Sequence, residues 1–197
     1  MAHDAIRSAR YGDVVPVAEF HRVPAEDAGS LADELGEVFR EAFAEPPYEY
    51  GDEHVRLFKD RFAVQHRRAG ASLVIARAQD GRMAGFSFGL TMPPGAPWWT
   101  DLTTEVESGV TDEPPGRTFV LIELLVRAEW RRAGVASALH DLVLADRPEQ
   151  RATLTVQPAA APAQQAYASW GWRKVAQKRN PLPGSPVFDV LIKDLHA

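Results

Sequence analysis

The pattern of apolar and polar positions changes period most sharply between residues 119 and 145, FVLIELLVRAEWRRAGVASALHDLVLA. Residues 119–126 form a nearly unbroken apolar run interrupted only by Glu123, the composition of a strand buried on both faces. Val135, Leu139, Leu142 and Val143 then recur at three- and four-residue steps, which predicts an amphipathic helix over about 136–145. Between the two periods lies Arg131-Arg132-Ala133-Gly134-Val135-Ala136, a basic turn of small residues. A strand that ends in such a turn and opens a helix aims several backbone N–H groups and the positive helix end at one spot. That is an anion site, and phosphate is its obvious ligand.

The same reading assigns the rest of the chain. Apolar residues accumulate over 13–20, a first strand ending near His21 or Arg22, and Val23-Pro24-Ala25-Glu26-Asp27 reads as a break. Ser30, with Asp33 three residues on, is placed to cap a helix whose face is Leu31, Leu35, Val38, Phe39 and Ala42. A second helix carries Val55, Phe58 and Phe62, and the linker between the helices is aromatic, acidic and proline-bearing. Residues 71–78 and 83–90 are strand-like runs flanking Asp80-Gly81, a hairpin signal because the turn needs a positive φ. Gly85 and Gly89 suggest a bulge or a close backbone approach. Residues 91–117 have no period and carry five prolines with Trp98-Trp99, so they read as a long functional loop, with a short helix expected within 100–109. An alternating strand follows at 151–156, a helix at 163–170 with Pro162 in its first turn and Gly171 at its end, and two last strands near 172–177 and 187–195.

One domain over 1–197, with its core at about 13–195, suits this length and order. The net charge is −5, which leaves no broad basic field for nucleic acid. Absence of cysteine excludes disulfides, thiolate metal sites and a cysteine nucleophile, and no metal site is expected. No stretch has the length of a signal or a membrane span, so a soluble cytoplasmic protein is expected.

Two residues carry candidate chemistry beyond the turn. Glu123 is the one ionisable group in an apolar strand, and a carboxylate there must face a cleft, meet an arginine or reach solvent. Partial desolvation would raise its pKa toward neutrality, which suits a general base. Tyr167 lies beside Trp170 and Trp172 and is either a neutral proton donor or a core residue with a polar tip.

Arg131, Gly134 and Ala136, in strand-loop-helix context and followed by Tyr167-x-x-x-Gly171-Trp172, resemble the GNAT superfamily of N-acetyltransferases and its Gln/Arg-x-x-Gly-x-Gly/Ala signature. The resemblance covers roughly 13–195, with 119–172 supplying its specificity. It implies an α/β chain of the acyl-coenzyme A N-acyltransferase type: a mixed, mostly antiparallel sheet of about seven strands, splayed between the fourth and fifth and flanked by about four helices. Acetyl-coenzyme A would lie in the splay as co-substrate. The resemblance places Leu125, Val126 and Arg127 on its pantetheine arm. Its pyrophosphate falls over Arg132, Ala133, Gly134, Val135, Ala136 and Ser137, with Arg131 adding charge. The implied reaction is acetyl transfer to an amine, with Glu123 as base, or a water route from His66 or Asp101, and Tyr167 as acid. The chain departs from the pattern at Ala128, Arg132, Ala136 and Ala160, where the family often has proline, glycine, glycine and asparagine.

For the acceptor, Phe39, Phe43, Tyr48, Tyr50, Trp98, Trp99 and Trp170 occur interspersed with Glu41, Glu45, Glu49, Asp52, Glu53, Asp101, Glu105 and Glu107. Aromatic walls with carboxylates would suit a small or medium cationic amine with an apolar body. An acyl-coenzyme A sensor without catalysis, or an enzyme acting on protein amines, are the alternatives. The antiparallel C-terminal strands end near an edge that a homodimer could cover.

Overall fold

The computed structural model describes residues 17–179 and 185–196. The expected first-strand residues 13–16, and residues 180–184 of the last connection, lie outside them. The described elements are β1 (Val17–Val23), α1 (Ala25–Ala28), α2 (Ala32–Phe43), α3 (Asp52–Gln65), β2 (Ser72–Ala78), β3 (Met83–Thr91), β4 (Thr118–Val126), α4 (Val135–Leu144), β5 (Arg151–Val156), α5 (Ala161–Ser169), β6 (Arg173–Arg179) and β7 (Val187–Asp194). One seven-stranded mixed sheet holds them in the order β1-β2-β3-β4-β5-β7-β6. Among the described residues its only parallel pair is β4 with β5.

Alternation in the strands divides the interior. Leu73 and Ile75 of β2 join Leu35, Val38 and Phe39 of α2 and Val55, Phe58 and Phe62 of α3 on one face. Val74 and Ala76 join Val135, Leu139 and Val143 of α4 on the other. Leu142, expected in the α4 stripe, is instead 39% exposed. The 80–81 hairpin forms, with Gly81 at φ 85° and Arg82 N–H donating to the Asp80 carboxylate at 3.0 Å. Gly85 and Gly89 mark close approach: a Cβ would stand 2.5 Å from the Leu125 carbonyl at the first and 2.4 Å from the Phe119 ring at the second.

Three expectations change. The break at 23–27 is helical from Ala25, because Pro24 is tolerated just before a first turn. A 3-10 turn over Gly29–Leu31 leads into α2, so Ser30 donates to the Asp27 carbonyl at 2.7 Å rather than capping. The helix expected within 100–109 is replaced by extended chain: Leu102 bridges to Lys178, Thr103 N–H donates to the Gln177 carbonyl at 2.8 Å and Arg179 N–H to the Asp101 carbonyl at 3.2 Å. These bonds satisfy backbone groups on the outer edge of β6, which would otherwise stand unpaired.

Two irregularities of β4 shape the site. Its ladder with β5 runs only from Thr118↔Arg151 to Val120↔Thr153, after which the strands diverge. Its ladder with β3 slips between Leu121 and Glu123, leaving Ile122 as the extra residue. Leu121, Leu124 and Val126 face α4, whereas Ile122 and Leu125 face α2 and α3, so the bulge reverses the alternation. By that parity Glu123 turns to the α2–α3 side, where Arg61 of α3 meets it.

Candidate active site

The turn before α4 is built by backbone conformation. Gly134, its N-cap, has φ 82° and ψ −6°, a left-handed geometry that costs any residue with a Cβ. Arg132 shares the positive φ, at 64°. Space over Gly134 is open, since an added Cβ would meet nothing within 4 Å. The first helical bond runs from Ala138 N–H to the Gly134 carbonyl at 3.1 Å, and no side chain caps the helix. The N–H groups of Val135, Ala136 and Ser137 therefore stand free of helical partners. An open approach, a left-handed glycine and unfilled donors suit a phosphate-bearing ligand.

The arginines around this turn divide in role. Arg131 donates to the Val126 carbonyl at 3.2 Å, to Glu45 at 2.9 Å and to the Ala42 carbonyl at 3.4 Å, which ties the turn to the end of α2. Arg127 pairs with Glu41, and its backbone N–H donates to the Ala84 carbonyl at 2.9 Å. Arg132 is exposed. Of the basic side chains expected near a phosphate, it is the one left without an ion pair among the described residues.

Two cavities open where β4 and β5 part. The smaller, about 200 Å³, is lined by Leu125, Val126, Arg131 and Tyr167, among others. The larger, about 480 Å³, is walled by Phe39, Phe43, Tyr48, Tyr50, Trp98 and residues of β4. Both include Phe43, Tyr48, Ile122, Glu123 and Thr155 in their walls. Glu123 thus stands where a channel beside β4 meets an aromatic chamber.

Glu123 is 8% exposed, and its nearest cation is Arg61 at 3.9 Å. Burial pushes its pKa to about 7, with the Arg61 charge pulling weakly the other way. The carboxyl can take or give a proton near neutrality. Tyr167 is partly buried, edge-on to Trp170 and Trp172 at 5.7 Å, on α5, which has Pro162 in its first turn and is followed by Gly171 at φ 81°. Burial, then the nearby Tyr48 and Glu123, raises its pKa, so the phenol stays neutral.

The expected acceptor wall is half present. Trp99 and Trp170 lie outside the larger cavity, and so do all eight carboxylates anticipated with the aromatics. Glu41 and Glu45 pair with Arg127 and Arg131, Asp52 with Arg40 and Glu53 with Arg56. The charged residues that do line it beside Glu123 are Arg61, Arg68 and Lys178, none of them singled out by sequence. Strand alternation held the one signal for Lys178, which shares the buried face of β6 with Ala176. Asp101 is exposed in the loop, and buried His66 packs on Phe62.

Among the described residues there is no helix long and apolar enough to cross a membrane and no cluster of three or more His, Asp or Glu placed to hold a metal.

Comparison with known proteins agrees with this geometry. No curated protein matches the chain. Among solved structures it is similar to a GNAT-family acetyltransferase from Desulfovibrio desulfuricans (17% identity, 91% of this chain and 99% of that one, TM-score 0.62). It is also similar to aminoglycoside 6'-acetyltransferase type Ii (16% identity, 91% and 99%, TM-score 0.61). A third is the ribosomal-protein-S18-alanine N-acetyltransferase of Escherichia coli (16% identity, 91% and 94%, TM-score 0.61). At these identities the likeness is one of fold. The Acetyltransferase (GNAT) family profile matches residues 35–172, which takes in the α4 turn, Glu123 and Tyr167. With the divergence of β4 from β5, that match establishes that this chain belongs to the GNAT family of acetyltransferases.

Proposed function

We propose that the protein transfers the acetyl group of acetyl-coenzyme A to a primary amine of small or medium size, whose apolar body occupies the aromatic chamber and whose nitrogen lies at Glu123. The observation that carries this reading is the position of Glu123, buried, raised to about pKa 7 and shared by both cavities. The thioester supplies the acetyl group. Every proton transfer falls to the chain.

The acceptor arrives as an ammonium, which has no lone pair, and the Glu123 carboxylate removes its proton. The cationic end expected of the acceptor is this ammonium. The freed amine attacks the thioester carbonyl, a C–N bond forms, the C–S bond breaks, the sulfur takes the Tyr167 proton, and the excess proton on the new amide nitrogen passes back to the Tyr167 phenolate. Leu125, Val126 and Arg127 would align the pantetheine arm, their strand freed by the end of the β4–β5 ladder at Val120. Arg132 through Ser137 would hold the pyrophosphate over Gly134, with Arg131 fixing the turn from beneath. The aromatic walls exclude water, which strengthens the electrostatic effects around Glu123.

A thermal shift tests the docking half. Acetyl-coenzyme A at about 100 times its Kd should stabilise the folded protein by roughly 2.7 kcal/mol, and Gly134→Glu should abolish the shift while the protein stays folded. No shift with wild type, or the same shift in the variant, would remove the site from the α4 turn. A shift without turnover of any amine would favour the sensor instead.

A further inference from the structure

The larger cavity carries three cations, Arg61, Arg68 and Lys178, against the single carboxylate of Glu123. Lys178 is the unusual one. It is only 9% exposed, and among the described residues no carboxylate lies within ion-pair distance. Its ammonium donates to the Trp98 carbonyl at 2.6 Å and sits 5.2 Å above that residue's ring. An ammonium has three donors, so two are left for a ligand. The other buried cations of the fold are treated differently: Arg147 is paired with Glu149 at 2.7 Å and Arg151 with Glu113 at 3.0 Å. Burial lowers the Lys178 pKa, and the one charge opposing that shift is Asp101, which is exposed and outside the cavity. A charge taken out of water without a counter-ion is costly, and this one lines a cavity large enough for a small molecule.

We propose that the acceptor is an amine that also bears an anionic group, a carboxylate or a phosphate, which takes Lys178 as its counter-ion while the amine lies against Glu123. Arg68, exposed on the same wall and without an ion pair among the described residues, adds to the field that draws the anion in. The two ends of such an acceptor match the two signs of the cavity. Glu123 meets the ammonium, and Lys178 meets the anion. This specificity rests on the acetyl-transfer reading, yet it can be tested apart from it.

The test compares hexylamine, 6-aminohexanoate and 6-aminohexyl phosphate as acceptors, measured by release of the coenzyme A thiol, in wild type, Lys178→Gln and Lys178→Arg. Glutamine keeps a donor for the Trp98 carbonyl and removes the charge; arginine keeps the charge. An anionic acceptor should exceed hexylamine in kcat/KM by at least tenfold in wild type, the faster of the two naming the anion. That ratio should fall toward one in Lys178→Gln and survive in Lys178→Arg. Hexylamine as good as either anion, or a ratio indifferent to Lys178→Gln, would overturn the proposal. If no amine is acetylated, the transfer reading fails, and binding of hexanoate and hexyl phosphate to the coenzyme A-loaded protein decides the anion site. Binding weakened at least tenfold by Lys178→Gln supports it; no binding, or binding unchanged by the variant, overturns it.

Discussion

Glu149 and Glu123 are both buried, at 1% and 8% exposure, and the fold gives them opposite surroundings. Glu149, two residues before β5, receives two hydrogen bonds from Arg147 at 3.0 and 2.7 Å and one from the Thr91 hydroxyl. Burial works to raise its pKa, but these donors outweigh it and hold the carboxyl below its ordinary value. Arg147 is itself held by the Gly70 carbonyl at 3.0 Å and lies 4.0 Å from the centre of the Phe119 ring. Glu123, within β4, has one arginine at 3.9 Å and a pKa of about 7. A buried carboxylate that is fully paired fixes structure, whereas one left nearly alone beside a cavity is available for proton transfer. The difference arises where β4 leaves β5, because past Val120 the β5 side of β4 is no longer closed by a paired strand.

The largest expected effect follows at Glu123 itself. Glu123→Gln should lower kcat by about 10²–10⁴, the range for loss of a general base. It should also make the protein more stable at pH 8. A carboxyl whose folded pKa stands above its unfolded value gives stability present below about pH 4.5 and lost as pH rises through about 7. Removing the charge should recover up to roughly 3 kcal/mol on the alkaline side and flatten the pH dependence across that window. Urea melts at pH 5 and pH 8 would read this, and an equal or lower stability for the variant at pH 8 would count against a desolvated Glu123.

Arg147→Ala should do the reverse, costing about 3–5 kcal/mol by leaving Glu149 buried and unpaired while the folded fraction keeps its kcat. A variant that melts like wild type would end the contrast between the two carboxyls. Tyr167→Phe should reduce kcat by roughly 10²-fold with little change in acetyl-coenzyme A affinity, since it removes a proton and no ring contact. An unchanged kcat would leave Tyr167 as packing against Trp170 and Trp172 alone. Gly134→Ala should be the mildest, about 1 kcal/mol of stability from the strained φ, with a raised KM for acetyl-coenzyme A.

Much of this was legible from residue types. Asp80-Gly81 announced the β2–β3 hairpin, and the change of period after Val126 announced the strand, turn and helix that carry Gly134. Glu123 stood out because nothing else in its strand could ionise. What sequence could not carry was set by long-range pairing. The placement of β7 between β5 and β6 depends on which edges remain open after the sheet assembles. The bulge at Ile122, which turns Glu123 toward α3, reflects a register slip opposite Gly89 and leaves no mark in the apolar run itself. Residues 100–109 have helix-compatible composition, but the unsatisfied edge of β6 draws them into extended pairing. Carboxylates near the aromatics in sequence were drawn to arginines on other elements, and the cations of the larger cavity came from α3, the turn after it and β6.

The pH dependence of kcat, with both substrates saturating, measures the role of Glu123 most directly. A base held near neutrality requires an ascending limb with an apparent pKa close to 7 in wild type, and that limb should vanish from the residual rate of Glu123→Gln. A wild-type profile with no inflection in that region, or the same inflection persisting in the variant, would contradict proton removal by Glu123.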